Sequence, residues 1–353
     1  MNYLLSKLDN IRIGKKSYEF IPSDIKRDLK INGVILGAEG EYFVDNTNIM
    51  QPIYVSDLRN LIGSNSYIAL MRKPMMVFTM PTSEDEKEAT KETLDKVYGI
   101  KALNLNNFAQ ALSLACWFIK DSCVSATQSY WINLDNGYNS QANRDGAISL
   151  SNGSVEEIEF TDEEVSEAIG RMYEVYRYLL PDESKMGTVQ MTTSGGTSIW
   201  EVDKAISSEG NSFARALTKL QEARRTGVLP SKIDKYCSVL ECIFAINKEH
   251  KKNISQITAA YIGKDATERS TIESNMREAY GIRSDGSHGD NLKYLRDKDH
   301  EALANLSKKL DDYVRRVFRK VIADSTLNYD TTDGRKAEVR AHFRTMMQAV
   351  YPK

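Results

Sequence analysis

Apolar residues recur every three or four positions through most of the C-terminal half of the chain. Phe213, Ala216, Leu217, Leu220 and Ala223 form one stripe, which ends at Gly227. Pro230 and Ser231 open a second, with Ile233, Tyr236, Cys237, Leu240 and Phe244 on one face. Ile272, Met276, Ala279 and Tyr280 mark a third, and Leu303, Leu306, Leu310, Tyr313, Val317 and Val321 a long fourth. This spacing follows the turn of an α-helix, and amphipathic helices joined by short loops predict a bundle. Upstream, a buried helix is predicted over residues 104–120, where Leu105, Phe108, Leu112, Ala115, Cys116 and Ile119 share a face and Trp117 and Phe118 add bulk. Thr161 and Glu164 form a capping-box pattern that starts another helix, running to about Leu180 and stopping before Pro181.

The first hundred residues follow a different pattern. Residues 42–44, 52–55, 67–71 and 75–79 are short runs rich in β-branched and aromatic side chains, which predict a small sheet. Arg72-Lys73-Pro74 reads as a hairpin turn between the last two. The acidic stretch over residues 83–96 reads as a solvated helix or linker, and residues 133–154, rich in Asn, Gly, Ser and Asp, as a loop. Residues 184–198 form a polar, Gly-containing stretch and are the preferred domain boundary. The expected fold is therefore α+β: a mixed N-terminal domain with a small sheet over 1–100, a helical middle segment over 101–183, and a mainly helical C-terminal bundle over 199–353.

Composition narrows the class. The chain has 353 residues, 41% hydrophobic and 27% charged, which suits a soluble protein of two or three domains. The longest apolar run, around residues 111–119, falls short of the roughly 20 residues that span a bilayer. Charge enters too early at the N-terminus for a secretory signal, so a cytoplasmic location is expected. Cys116, Cys123, Cys237 and Cys242 form no CxxC pair, and the four histidines, His250, His288, His300 and His342, stand singly. No metal site and no cofactor is expected. The net charge of −2 is uneven: residues 201–353 carry 28 Lys and Arg against 22 Asp and Glu, and residues 1–200 carry 19 against 27. A basic C-terminal part suits a polyanionic partner, or is simply a solvated surface.

The candidate chemistry lies in residues 279–290. Arg283 is followed after four residues by His288, a spacing that Arg335 and His342 nearly repeat and that means little alone. The context is more specific. Tyr280 stands three residues before Arg283, Ser284 directly follows it, and Gly289 directly follows His288; the segment comes about 40 residues after an apolar helix that contains Glu241. Together these features resemble the HEPN superfamily, in particular its ApeA-like branch, where a Y-x-x-R-S…H-G signature closes a helical bundle. The resemblance covers residues 230–322, and residues 108–125 are similar to a stretch upstream of that domain in related multidomain proteins. Many HEPN ribonucleases carry Asn, Asp or His where this chain has Ser284.

The resemblance implies a metal-independent endoribonuclease in which Arg283 and His288 cleave RNA and leave a 2′,3′-cyclic phosphate. It implies a homodimer whose two motifs face one cleft, and a role as a toxin or phage-defence effector. A regulatory protein or phage-derived trigger would then act through the N-terminal part. The chemistry is coherent: a guanidinium matches phosphate oxygens with a planar fork of donors, and imidazole exchanges protons near neutral pH. Positions five apart on an unbroken helix point about 140° from each other. A break at Gly286 and Ser287 is therefore expected, folding His288 back towards Arg283. Tyr280, Ser284 and Asp285 are supporting candidates, Asp285 more as a turn former than as an acid. Glu241 either orients Arg283 or is a helix-surface carboxylate. Arg315, Arg316, Arg319 and Lys320 form one basic helix face, which either holds RNA phosphates or belongs to a solvated helix end. Thr193-Ser194-Gly195-Gly196-Thr197 lacks the Lys-Ser/Thr ending of a phosphate loop and reads as a linker. The competing reading is a non-catalytic HEPN-type module that binds nucleic acid or nucleotide, or only dimerises.

Overall fold

The computed structural model describes residues 2–14, 17–20, 30–31, 34–35, 41–45, 55–70, 74–143, 148–179, 212–288, 293–324 and 336–352. The chain is α+β and divides into two units, one of residues 1–147 and 156–177, the other of residues 148–155 and 178–353. Among the described residues, no helix is long and apolar enough to cross a membrane. The expected hairpin turn at residues 72–73, the loop of residues 193–197, the boundary at 184–198, and Gly289 and Asp290 lie outside the described residues.

The first unit is built on a six-stranded antiparallel sheet in the order β3-β6-β7-β1-β8-β9. Its strands are β1 (Asn2–Lys7), β3 (Ser17–Phe20), β6 (Glu41–Asp45), β7 (Met75–Met80), β8 (Gln128–Asn133) and β9 (Tyr138–Asn143). Smaller pairs join β2 (Ile11–Ile13) to β10 (Ile158–Phe160), and β4 (Lys30–Ile31) to β5 (Val34–Ile35). Both faces of β1 are covered, so Leu4 and Leu5, which alternate across the pleat, are fully buried. On one face Leu5, Val77, Tyr130 and Ile132 pack with Leu58 of α1 (Val55–Ile62) and with Tyr67 and Leu70 of α2 (Ser64–Leu70). On the other lies α4 (Lys91–Ile119), the long apolar helix of the sequence, which follows the short α3 (Glu84–Glu88). Asn106 of α4 donates to Ser129 Oγ at 3.0 Å and to the Ala126 carbonyl at 3.2 Å. These bonds satisfy the buried NH2 of the amide and fix the helix on the sheet. The unit ends in α5 (Asp162–Leu179), whose capping box is present: Thr161 N donates to Glu164 Oε2 at 2.9 Å and Glu164 N to Thr161 Oγ1 at 3.3 Å.

Several expectations differ here, among them the strand over 52–55: residues 52–54 lie outside the described residues and Val55 opens α1. Residues 67–70 lie in α2 rather than in a strand, so β7 follows a helix and is not the second arm of a hairpin. Residues 138–143, expected as loop, form β9, a polar edge strand whose outward side chains carry no apolar alternation. The division drawn at residue 100 falls inside α4, which is continuous from Lys91 to Ile119.

The second unit is a helical bundle of α6 (Ser212–Arg225), α7 (Leu229–Ile243), α8 (His250–Ile262), α9 (Ala266–His288), α10 (His300–Ala323) and α11 (Lys336–Val350). The stripes Phe213-Leu217-Leu220, Ile233-Tyr236-Cys237-Leu240, Ile272-Met276-Ala279 and Leu310-Val317-Val321 all point inward. Each large apolar side chain buried in this way contributes roughly 1.5–3 kcal/mol. Pro230 stands in the first turn of α7, where its missing N–H costs nothing. Residues 148–155 belong to this unit. Ser149 N donates to the Arg224 carbonyl at 2.8 Å, Ser149 Oγ to the Thr226 carbonyl at 2.8 Å, and Ser307 Oγ to the Ser151 carbonyl at 2.5 Å. Helices α8 and α11 are not among the elements expected from the sequence.

Candidate functional site

Helix α7 carries Asp234, Cys237 and Glu241 at intervals of three and four, which places all three on one side of the helix. Helix α9 packs against it and brings Tyr280 and Arg283 to that side. Arg283 Nε lies 3.0 Å from Asp234 Oδ1, and Nη1 lies against Glu241 Oε2 as an ion pair off the line of a hydrogen bond. The Tyr280 ring lies beneath the guanidinium, 5.2 Å from Cζ to centroid. From α8, His250 Nδ1 approaches Glu241 Oε1 at 2.9 Å. Glu241 thus joins a guanidinium on one carboxylate oxygen and an imidazole on the other.

The cluster is partly covered: the side chains of Glu241, Arg283 and His250 are 13%, 23% and 42% exposed. Burial acts to lower the Arg283 pKa, but its contact with Glu241 and the charge of Glu241 outweigh this, and the group is raised above its ordinary value. Burial, then the charge of Glu241, pushes the Tyr280 phenol up, so it stays protonated. Burial likewise pushes up the Cys237 thiol, which makes it a packing residue rather than a nucleophile. One guanidinium faces two carboxylates, so the local balance is acidic.

The structure places the other expected residues as follows. Ser284 is exposed on α9. Asp285 is buried and accepts from Tyr294 N at 2.5 Å and Leu295 N at 3.1 Å, which ties down the chain after the helix. His288 is the last residue of α9; its side chain lies outside the described residues. The break expected between Arg283 and His288 is not there: α9 is helical across Gly286 and Ser287. A glycine inside a helix costs about 1 kcal/mol, too little to stop a long helix packed on its neighbours and tethered through Asp285.

The expected basic face is mostly turned to internal partners. Arg315 is buried and ion-paired with Asp311, which also accepts from the Tyr236 hydroxyl at 2.8 Å. Arg316 pairs with Glu268 at 2.9 Å and donates to the Ile262 carbonyl at 2.5 Å. Lys320 donates to the Tyr261 carbonyl at 2.6 Å and lies 4.4 Å above the Tyr261 ring. Two of these cations therefore cap the C-terminus of α8, where orphan carbonyls and the helix dipole favour positive charge. Arg319 is half-buried on the same helix.

Asp234 and His250 are not among the site residues expected from the sequence. Asp234 had a signal, its placement seven residues before Glu241 beside an inward stripe; His250 had none short of the fold itself. Among the described residues, no group of three or more His, Cys, Asp or Glu side chains gathers as a metal site. Compared with family models, with curated proteins and with solved structures, the chain matches none.

Proposed function

We propose that the helical unit is a HEPN-like RNA-cleaving module, with Arg283 as its phosphate contact and His288 as its proton-transfer residue. The observation that carries this reading is the Arg283 guanidinium. It is partly exposed, fixed by Asp234 and Glu241, and part of the Tyr280-x-x-Arg283-Ser284 motif. Among the described residues its ion pairs engage Nε and Nη1, and the Nη2 edge remains to meet a phosphate. RNA carries its own nucleophile, the 2′-hydroxyl. Attack on the adjacent phosphorus gives a 2′,3′-cyclic phosphate, and the site has to supply charge stabilisation and proton transfer. In the same reading the protein is a cytoplasmic homodimer, and a toxin or phage-defence effector whose N-terminal unit answers a regulatory protein or phage-derived trigger.

A second reading, a non-catalytic module that binds nucleic acid or nucleotide or only dimerises, is favoured by the acidic balance around Arg283 and by the unbroken helix up to His288. One experiment separates the two. Purified protein is incubated with mixed RNA in excess chelator, beside Arg283→Ala and His288→Ala variants checked for folding by circular dichroism. The first reading expects cyclic-phosphate products from wild type alone. Equal products from all three, or intact RNA throughout, favours the second.

A further inference from the structure

Among the described residues, Glu241 links the imidazole of His250 to the Arg283 guanidinium, one on each carboxylate oxygen. We propose that His250 is a further proton-transfer group of this site, oriented by Glu241. The inference rests on the RNA-cleaving reading of Arg283.

The geometry carries it. A carboxylate only accepts hydrogen bonds, so in the 2.9 Å contact with Glu241 Oε1 it is His250 Nδ1 that donates. That sets the tautomer and leaves the Nε2 lone pair directed away from the carboxylate. A carboxylate behind Nδ1 also fixes the ring's orientation, the positioning half of a carboxylate–histidine dyad. Because Arg283 lies on the other oxygen of the same carboxylate, the proposed site sets a phosphate held by Arg283 within reach of this imidazole. The ring is 42% exposed and open to a substrate.

The backbone gives an independent indication. His250 is the first residue of α8, and Glu249 before it is held in the left-handed region at φ 46° and ψ 45° without glycine. Ala245, at the other end of the α7–α8 connection, is left-handed too, at φ 51°. Left-handed non-glycine residues are strained and collect at functional sites. The charged groups shown around His250 are Glu241 from α7 and, through Glu241, Arg283 from α9, with Glu249 and Lys251 beside it in the chain.

In the reaction, His250 Nε2 takes the 2′-hydroxyl proton as the 2′-oxygen bonds to phosphorus. The bond from phosphorus to the 5′-oxygen breaks, and that oxygen leaves with a proton from His288 or water. The products are a 2′,3′-cyclic phosphate and a 5′-hydroxyl, with no change in oxidation state.

The test uses the full chain, with RNA cleavage followed from pH 5 to 9 in wild type, Arg283→Ala, His250→Ala and His250→Asn. The Asn side chain keeps a donor for Glu241 where Nδ1 stood and removes Nε2. Both His250 variants should fold and lose about 100-fold or more in rate, the usual scale for a lost acid or base. Both should also lose the wild-type pH profile, and added imidazole should restore part of the His250→Ala rate. If His250→Asn stays fully active while His250→Ala is impaired, His250 only positions Glu241 and the inference is overturned. If both are fully active while Arg283→Ala is dead, the inference falls and the RNA-cleaving reading stands. A wild type that leaves RNA intact overturns both.

Discussion

Asp234 Oδ1 stands 3.0 Å from Arg283 Nε and, with Glu241, gives the guanidinium two carboxylate partners. This pairing holds Arg283 in place but also repels a phosphate. Two unit charges about 6 Å apart at an effective dielectric near 40 repel by about 1 kcal/mol, and Asp234 is a third exposed, so solvent screens some of that.

Asp234→Asn should therefore tighten RNA binding by about 3- to 5-fold at low salt, an effect that fades as the Debye length shrinks. Fluorescence anisotropy with a labelled RNA, in a His288→Ala background to prevent cleavage, measures this. Unchanged affinity at both low and high salt would mean that no phosphate sits on Arg283.

What was legible in the sequence is what burial makes periodic. The stripe Ile233-Tyr236-Cys237-Leu240 identifies α7 because every member is inside. Asp234 and Glu241 flank that stripe, and the pattern alone cannot tell a flank that meets water from one that meets a second helix. That depends on α9 packing alongside, a contact between segments far apart in sequence. Residues 67–70 were misread for a different reason: a short apolar run with Tyr and Ile fits strand and helix equally, and tertiary packing under the sheet decides it. Gly286 was over-read, because a weak helix breaker gives way when the residues around it are anchored. The basic run at residues 315–320 is visible as charge, but only the fold reveals that Arg315 faces Asp311 and that Arg316 and Lys320 face carbonyls.

Gly281 supports the ring of Tyr294. A Cβ at this position would stand 2.5–2.6 Å from three ring atoms, and the ring is held by Asp285 through its backbone and by Lys251 through a 2.9 Å bond to its hydroxyl. In an exposed helix, Gly→Ala gains up to about 1 kcal/mol. Here Gly281→Ala should lose about 1–3 kcal/mol by overpacking. Once Tyr294→Ala has removed the ring, the same change should be neutral or favourable. Urea denaturation of the four proteins in this double-mutant cycle reads the sign; a Gly281→Ala cost that is the same in both backgrounds would refute the contact.

Glu268 links pH to stability. The Lys264 backbone N–H, donating at 2.7 Å, holds its carboxyl below the usual carboxylate range, against a smaller effect of burial and with help from Arg316. A folded-state pKa below the unfolded value of 4.5 gives stability that is present above that pH. It is lost as pH falls through the lower folded value. Glu268→Gln should lower the melting temperature modestly at pH 7, by the few tenths of a kcal/mol typical of exposed pairs, about 1–2 °C. Near pH 3 the two proteins should converge. Thermal unfolding at both pH values tests the sign, and a gap that widens towards acid would contradict it.

Gly153 ties residues 148–155 to the α6–α7 turn. Its φ is +83°, and a Cβ there would stand 2.6 Å from the Gly227 carbonyl oxygen, a backbone atom with little room to move. Gly153→Ala therefore meets two penalties, a left-handed backbone costing about 1–2 kcal/mol for an L-residue and a clash on top of it. Gly170 in α5 is the control. It is exposed in a helix with nothing within 4 Å of a built Cβ, so Gly170→Ala should stabilise by about 0.5–1 kcal/mol. Hydrogen exchange locates the effect: Gly153→Ala should speed exchange of amides in α6 and α7, where Ser149 and Gly153 make their contacts, and leave β1 and β8 protected. Uniform loss of protection across both units would mean that the segment supports the whole chain, while unchanged exchange in α6 and α7 would mean that its bonds to Arg224 and Thr226 contribute nothing to the bundle.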